Sequence, residues 1–143
     1  MPETGYVDFG AVAARFAHHL QSGGVPVATG SPVSSVEITG AGCVVHGTDE
    51  RIEARLLINC AGLHADTVAR MTGHAPPVRI IPFRGEYFHL RRPELVASAI
   101  YPVPDPRFPF LGVHFTRRVD GTVEVGPNAV LAWGREHYRG ARP

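Results

Sequence analysis

Most of the residues suited to chemistry lie in two stretches of a 143-residue chain. "PFRGEYFHL" sets Arg84, Tyr87 and His89 around a glycine. If that strand is regular, Arg84, Glu86, Phe88 and Leu90 share one face, and Phe83, Gly85, Tyr87 and His89 share the other. A planar guanidinium makes two parallel charge-assisted bonds to a carboxylate, so Arg84 with Tyr87 can present donors to an anionic ligand. A surface pair between Arg84 and Glu86 explains the same pattern equally well. His114 stands in the otherwise apolar "FLGVHFT", where an imidazole is either a proton carrier or a satisfied packing residue. Asn128 follows a Gly126-Pro127 bend that can turn its amide inward. The second stretch is "RLLINCAGLHADTVARMTG", in which an apolar run meets a tight Asn59-Cys60-Ala61-Gly62 corner and then a helix-like segment. Such a corner brings a chain to the edge of a nucleotide site, yet no phosphate-cradling glycine loop precedes it.

Other chemistries find little support. "GAGCVV" at Gly40 has Val45 at the third glycine position and leads into a strand, so it reads as a hairpin turn rather than a dinucleotide fingerprint. No H-x-H or H-E-x-x-H occurs, and His18 and His19 point about 100° apart on a helix. Two cysteines, Cys43 and Cys60, make neither a disulfide framework nor a metal pattern. No metal is therefore expected. There is no G-x-S-x-G, and Ser22, Ser31, Ser34, Ser35 and Ser98 all miss a strand-to-helix corner.

Composition sets the frame for these residues. Apolar residues at 44% with 19% charged describe an ordinary globular chain. A net charge of +1 gives no electrostatic reason to expect nucleic acid or an anionic membrane. "MPETGYVDFG" lacks a basic and an apolar signal region, and no apolar run approaches the roughly 20 residues of a membrane span. With the unpaired cysteines, this leads to the expectation of a cytoplasmic protein.

The elements that must position the chemistry follow from periodicity. Phe9, Val12, Ala13, Phe16, Ala17 and Leu20 form one helical stripe, with Asp8 as N-cap and Gly23-Gly24 as stop. "VPVATG" reads as a short buried strand. "PVSSVEIT", "CVVHG" and "RIEARLLIN" alternate with period two, predicting an antiparallel meander that runs into a central strand at Leu56 to Asn59. A second helix is expected from about His64 to Met71, stopped by Gly73. Pro76-Pro77 mark a boundary, dividing residues 1–75 from 76–143. Beyond it, a strand interrupted at Pro82 and bent at Gly85 precedes "FLGVHFTRR" and "TVEVGPN", joined at Asp120-Gly121. The fold class is thus α/β (α+β): helices and strands first, then a mainly antiparallel sheet.

In this order the segments resemble one family over nearly the whole chain. "PETGYVDFGAVAARFA", "LLINCAGLHADTVARM", "RIIPFRGEYFHL", "IYPVPDPRFPFLGVHFTRRVDG" and "VGPNAVLAWGREHY" are similar to the middle of L-2-hydroxyglutarate oxidases and dehydrogenases. These belong to the FAD-dependent oxidoreductase superfamily of D-amino-acid and glycine oxidases. "INCAG" is shared across that superfamily, whereas "PFRGEY" with "YPVPDPRFPFLGVH" and "GPNAVLA" is more particular. The resemblance implies a partial Rossmann-like FAD-binding sheet with its β-meander in residues 1–75, and part of a substrate-binding sheet in 76–143. It implies FAD against Val33, Cys60, Ala61 and Gly62. It also implies a small dicarboxylic hydroxy acid as substrate, with Arg84, Tyr87 and Asn128 as binding residues and His114 as catalytic candidate. The electron acceptor, oxygen or a membrane quinone, is left open, and with it a peripheral membrane location of the parent. Glycine loop and ribose-binding acid of the family have no counterpart here, so the chain is expected to be an internal fragment, inactive alone, weak in FAD binding and prone to self-association. Two alternatives stand beside this one: a relative acting on an amino acid or glycerol phosphate, and a noncatalytic α+β module.

Overall fold

The computed structural model describes residues 5–107 and 112–138. They form two compact units: residues 27–82 with 133–137, and residues 83–132 with the chain up to 26 and residue 138. The architecture is an α+β mix of two helices and two three-stranded antiparallel sheets. No helix among the described residues is long and apolar enough to cross a membrane.

Helix α1, Phe9–Ser22, begins where the stripe predicts, because Asp8 accepts a hydrogen bond from the Ala11 amide at 3.1 Å. Gly24, at φ +78°, ends it. No residue of α1 is buried, and Phe9 and Phe16 are 77% and 65% exposed. Its stability therefore rests on its own turns and cap rather than on packing. Replacing Asp8 by Ala should cost about 0.5–2 kcal/mol of helix stability, seen as lost helical circular dichroism. Unchanged helicity would show that the cap contributes nothing.

The first unit carries the expected meander: β1 (Ser35–Thr39), β2 (Gly42–His46) and β3 (Arg51–Ala54), in that order. "GAGCVV" is its first hairpin, with Thr39 opposite Gly42. Glycine is obligatory at 42, since a Cβ there would lie 2.1 Å from the Ala54 carbonyl oxygen. Val36, Cys43 and Val44 form the buried core of this unit. Two expected strands are absent. Residues 25–29 and 56–59 belong to no strand, and Leu56 and Ile58 are about three-quarters exposed (75% and 74%). An apolar run of this kind suits a strand buried on both faces of a parallel sheet, and such a strand needs neighbours on either side to form. Helix α2, Ala65–Met71, follows a single 3-10 turn at Gly62–His64.

In the second unit β4 (Phe83–His89), β5 (His114–Arg117) and β6 (Val123–Leu131) pair in the order β4-β6-β5. Val123 is fully buried and Val96 nearly so. Arg117 fastens the 93–96 turn by donating to the carbonyls of Pro93 and Val96, at 3.2 and 3.0 Å. The Asp120-Gly121 turn forms as expected: Gly121 has φ +85°, and Asp120 accepts from the Thr122 amide at 2.9 Å. β4 starts just after Pro82, but the irregularity expected at Gly85 lies elsewhere. Glu86 pairs with Asn128 and Phe88 with Val125, so Gly126 and Pro127 of β6 stand against Tyr87 alone. That is a β-bulge. Pro127 is tolerated in the central strand because it sits in this bulge and β5 pairing stops at Gly126.

Candidate functional site

The bulge decides which candidate residues meet. Residues directly opposite one another in an antiparallel pair share a face. Arg84 is opposite Val130 and Glu86 opposite Asn128, which puts Arg84, Glu86 and Asn128 together on one face. On β6 the extra residue shifts the alternation, so Val125 and Val123 join that face while Gly126 and Glu124 join the other. His114 is opposite Gly126 and therefore belongs with Tyr87 and Gly85 on the second face. The four candidates thus split into two pairs.

On the first face Glu86 engages Arg84, accepting from Nη2 at 2.6 Å and Nε at 3.2 Å. The Arg84 side chain is half-buried and Glu86 faces solvent. The alternate-residue pair anticipated from the pattern is present. Asn128, instead of turning inward, is exposed beside Glu86.

The second face is organised around a glycine. A Cβ on Gly126 would lie 2.7 Å from Tyr87 Cδ1, and one on Gly85 would lie 3.2 Å from Tyr87 Cε2. The phenol ring therefore lies across both glycines. His114 flanks Gly126 from the other strand, and Tyr101 stacks on its imidazole, with centroids 4.9 Å apart and planes at 28°. The Tyr101 segment is held by the bridge between Ile100 and Phe115 and by Pro102 against Gly112. His114 Nδ1 lies 2.9 Å from the Gly112 carbonyl. A carbonyl only accepts, so Nδ1 carries the proton, and in the neutral ring Nε2 then holds the lone pair. The row Tyr87–Gly126–His114–Tyr101 is a proton acceptor of defined tautomer between two phenols. Tyr101 is the member that sequence reading missed. Only the long-range pairing of 100 with 115 brings it to His114, and no periodicity signals that. Residues 108–111 of the "YPVPDPRFPFLGVH" motif lie outside the described residues, as do 139–143.

The corner at residues 59–62 belongs to the other unit. Asn59 shapes it by donating to the Ala65 carbonyl at 2.8 Å and accepting from the Ala61 amide at 3.2 Å. Gly62 sits in the left-handed region at φ +53°, and a Cβ there would meet nothing within 4 Å. Cys60, Ala61 and Gly62 are exposed, and Val33 is 38% exposed just before β1. Small residues with an open outer side suit close approach of a dinucleotide such as the expected FAD. The corner fits that group as a wall. It is no phosphate cradle, and the glycine pair of "GAGCVV" is occupied by the β1–β2 hairpin. Among the described residues no cluster of His, Cys, Asp or Glu is placed to hold a metal.

Behind the corner lies a second feature missed in the sequence. Asp66, on the first turn of α2, is buried. Arg135 grips both its oxygens, Nη1 on Oδ1 and Nη2 on Oδ2 (2.9 Å), and also donates to the Leu63 carbonyl. Arg70 adds a bond at 3.0 Å and the Ile80 amide a long one at 3.5 Å. These donors, Arg135 foremost, hold the Asp66 carboxyl well below the usual carboxylate range against the opposing effect of burial. His64 and Glu136 pair alongside at 2.9 Å.

Comparison with known proteins identifies the family. An L-2-hydroxyglutarate dehydrogenase of Indibacter alkaliphilus is 49% identical over 142 residues, covering 97% of this chain and 36% of that protein. One from Salmonella houtenae is 47% identical over 142 residues, covering 97% and 34%. The human mitochondrial L-2-hydroxyglutarate dehydrogenase is 44% identical over 153 residues, covering 96% and 33%. The chain thus spans about a third of the length of the curated relatives it matches. The family model described as FAD dependent oxidoreductase matches residues 1–142. With a match running almost from end to end, the chain belongs to the FAD dependent oxidoreductase family.

Proposed function

We propose that this chain is part of a flavoenzyme that oxidises L-2-hydroxyglutarate to 2-oxoglutarate, with residues 1–75 on the cofactor side and 76–143 on the substrate side. The observation that carries this reading is the row Tyr87–Gly126–His114–Tyr101, an imidazole of fixed tautomer between two phenols. Family membership supports the redox class, and the similarity to L-2-hydroxyglutarate dehydrogenases supports the substrate.

His114 Nε2 accepts the proton of the substrate hydroxyl as the C2–O bond gains double-bond character. When bound, the flavin supplies the acceptor for the hydride leaving C2. Tyr87, its ring laid across two glycines, donates its hydroxyl to a substrate carboxylate. Tyr101 keeps the imidazole plane in place by stacking. Arg84 and Asn128 lie on the opposite face of the sheet, where Glu86 engages the Arg84 guanidinium. The row itself offers neutral donors only, and a cation for the second carboxylate is expected from the rest of the parent. Val33, Cys60, Ala61 and Gly62 would line the cofactor.

Anaerobic addition of L-2-hydroxyglutarate to the flavin-loaded, full-length protein should bleach its visible flavin band, while the D enantiomer should not. Failure of the L enantiomer to bleach it would overturn the substrate assignment. The 143-residue chain mixed with FAD and desalted should emerge colourless, since a wall without a pyrophosphate cradle holds the dinucleotide weakly. Stoichiometric retained flavin would refute the division of labour between this segment and the remainder.

A further inference from the structure

Among the points where the backbone passes between the two compact units are 82/83 and 132/133. Both of these passages are tied down close to the crossing, and both ties end on one carboxylate. Before the first crossing, the Ile80 amide donates to Asp66 Oδ2. After the second, Arg135 meets both Asp66 oxygens and the Leu63 carbonyl. Asp66 itself stands on α2, whose other charged neighbour, Arg70, bonds it from within the helix. The Asp66 side chain is only 3% exposed.

A buried ion pair is a poor way to gain stability, because apolar residues of similar volume usually do as well or better. Its distinctive property is directional: a carboxylate with two oxygens and a forked guanidinium accept one arrangement. We propose that Asp66 is a positioning residue, the one side chain to which segments 78–82 and 133–137 are both fastened. This inference stands on the geometry of Asp66 alone and does not depend on the substrate reading.

Hydrogen exchange of the intact protein, read on peptides covering 78–82, 133–137 and 42–46, tests it. Asp66→Asn keeps the shape but removes the charge. Exchange should quicken about tenfold or more in both crossover peptides, while the β2 peptide stays within about twofold, the mark of local rather than global opening. If either crossover peptide is unchanged, or if β2 loosens equally, Asp66 is an ordinary contributor to stability and the proposal fails. Should Asp66→Asn not fold, Arg135→Lys decides. It keeps the charge but loses the fork, so 133–137 should loosen while 78–82, which reaches Asp66 directly, should not. Loosening of both, or of neither, would overturn the shared-anchor arrangement.

Discussion

Replacing His114 by Ala in the full-length protein should lower kcat by about 10²–10⁴, the range over which a positioned general base contributes. FAD content and the KM for hydroxy acid should change little. The expectation follows from the Nδ1 contact to the Gly112 carbonyl, which directs the lone pair to Nε2. His114→Gln can donate a hydrogen bond but is no base at this position, so it should be nearly as slow. Two further variants separate chemistry from orientation. Tyr101→Phe retains the stack and should remain close to the parent, whereas Tyr101→Leu removes it and should lower kcat. Tyr87→Phe removes one donor without disturbing the ring, and should raise KM about tenfold, the equivalent of roughly one hydrogen bond. Rates are read by stopped-flow bleaching of the flavin, which isolates the reductive step from whatever acceptor follows. A His114→Ala protein that reduces its flavin at the parental rate would remove His114 from the mechanism.

Local physics made part of this legible in the sequence. α1 with its Asp8 cap, the meander, the α2 helix and the Gly121 turn each depend on residues within a few positions of one another. Their signals are short-range, and they appear where periodicity places them. Residues 56–59 show the limit. Their apolar run has strand character, but a strand exists only in a ladder, and the chain puts no partner beside it among the described residues. The site was legible in its members and not in its grouping. Arg84, Tyr87, His114 and Asn128 stand out by type, yet whether His114 joins Tyr87 or Arg84 depends on one surplus residue at Gly126-Pro127. A proline after a glycine announces irregularity without saying which alternation it shifts. Asp66 and Arg135 are 69 residues apart, and each looks like an ordinary surface charge until α2 and the segment after β6 coincide. Tyr101 and His114 meet for the same long-range reason.

Gly126 is where the fold and the site depend on the same absent side chain, and Gly126→Ala should therefore damage both. The added methyl would lie 2.7 Å from the Glu86 carbonyl oxygen and 2.7 Å from Tyr87 Cδ1. The two contacts differ in how far they can yield. Tyr87 is about half exposed (47%), and its ring can rotate away. The Glu86 carbonyl belongs to β4, whose ladder to β6 continues on either side of the bulge, so it can retreat only by opening that ladder. Overpacking of this kind costs about 1–3 kcal/mol, which should appear as a lowered melting temperature of the intact protein. Most of the loss should come from the backbone contact. Adding Tyr87→Ala to Gly126→Ala should accordingly recover less than half of it, whereas full recovery would mean that the ring alone resists the methyl. Turnover supplies the second reading. If Tyr87 must lie over Gly126 to reach the substrate beside His114, Gly126→Ala should raise KM at least as much as Tyr87→Phe does. A Gly126→Ala protein with parental melting and parental KM would show that neither the bulge nor the row is built as described.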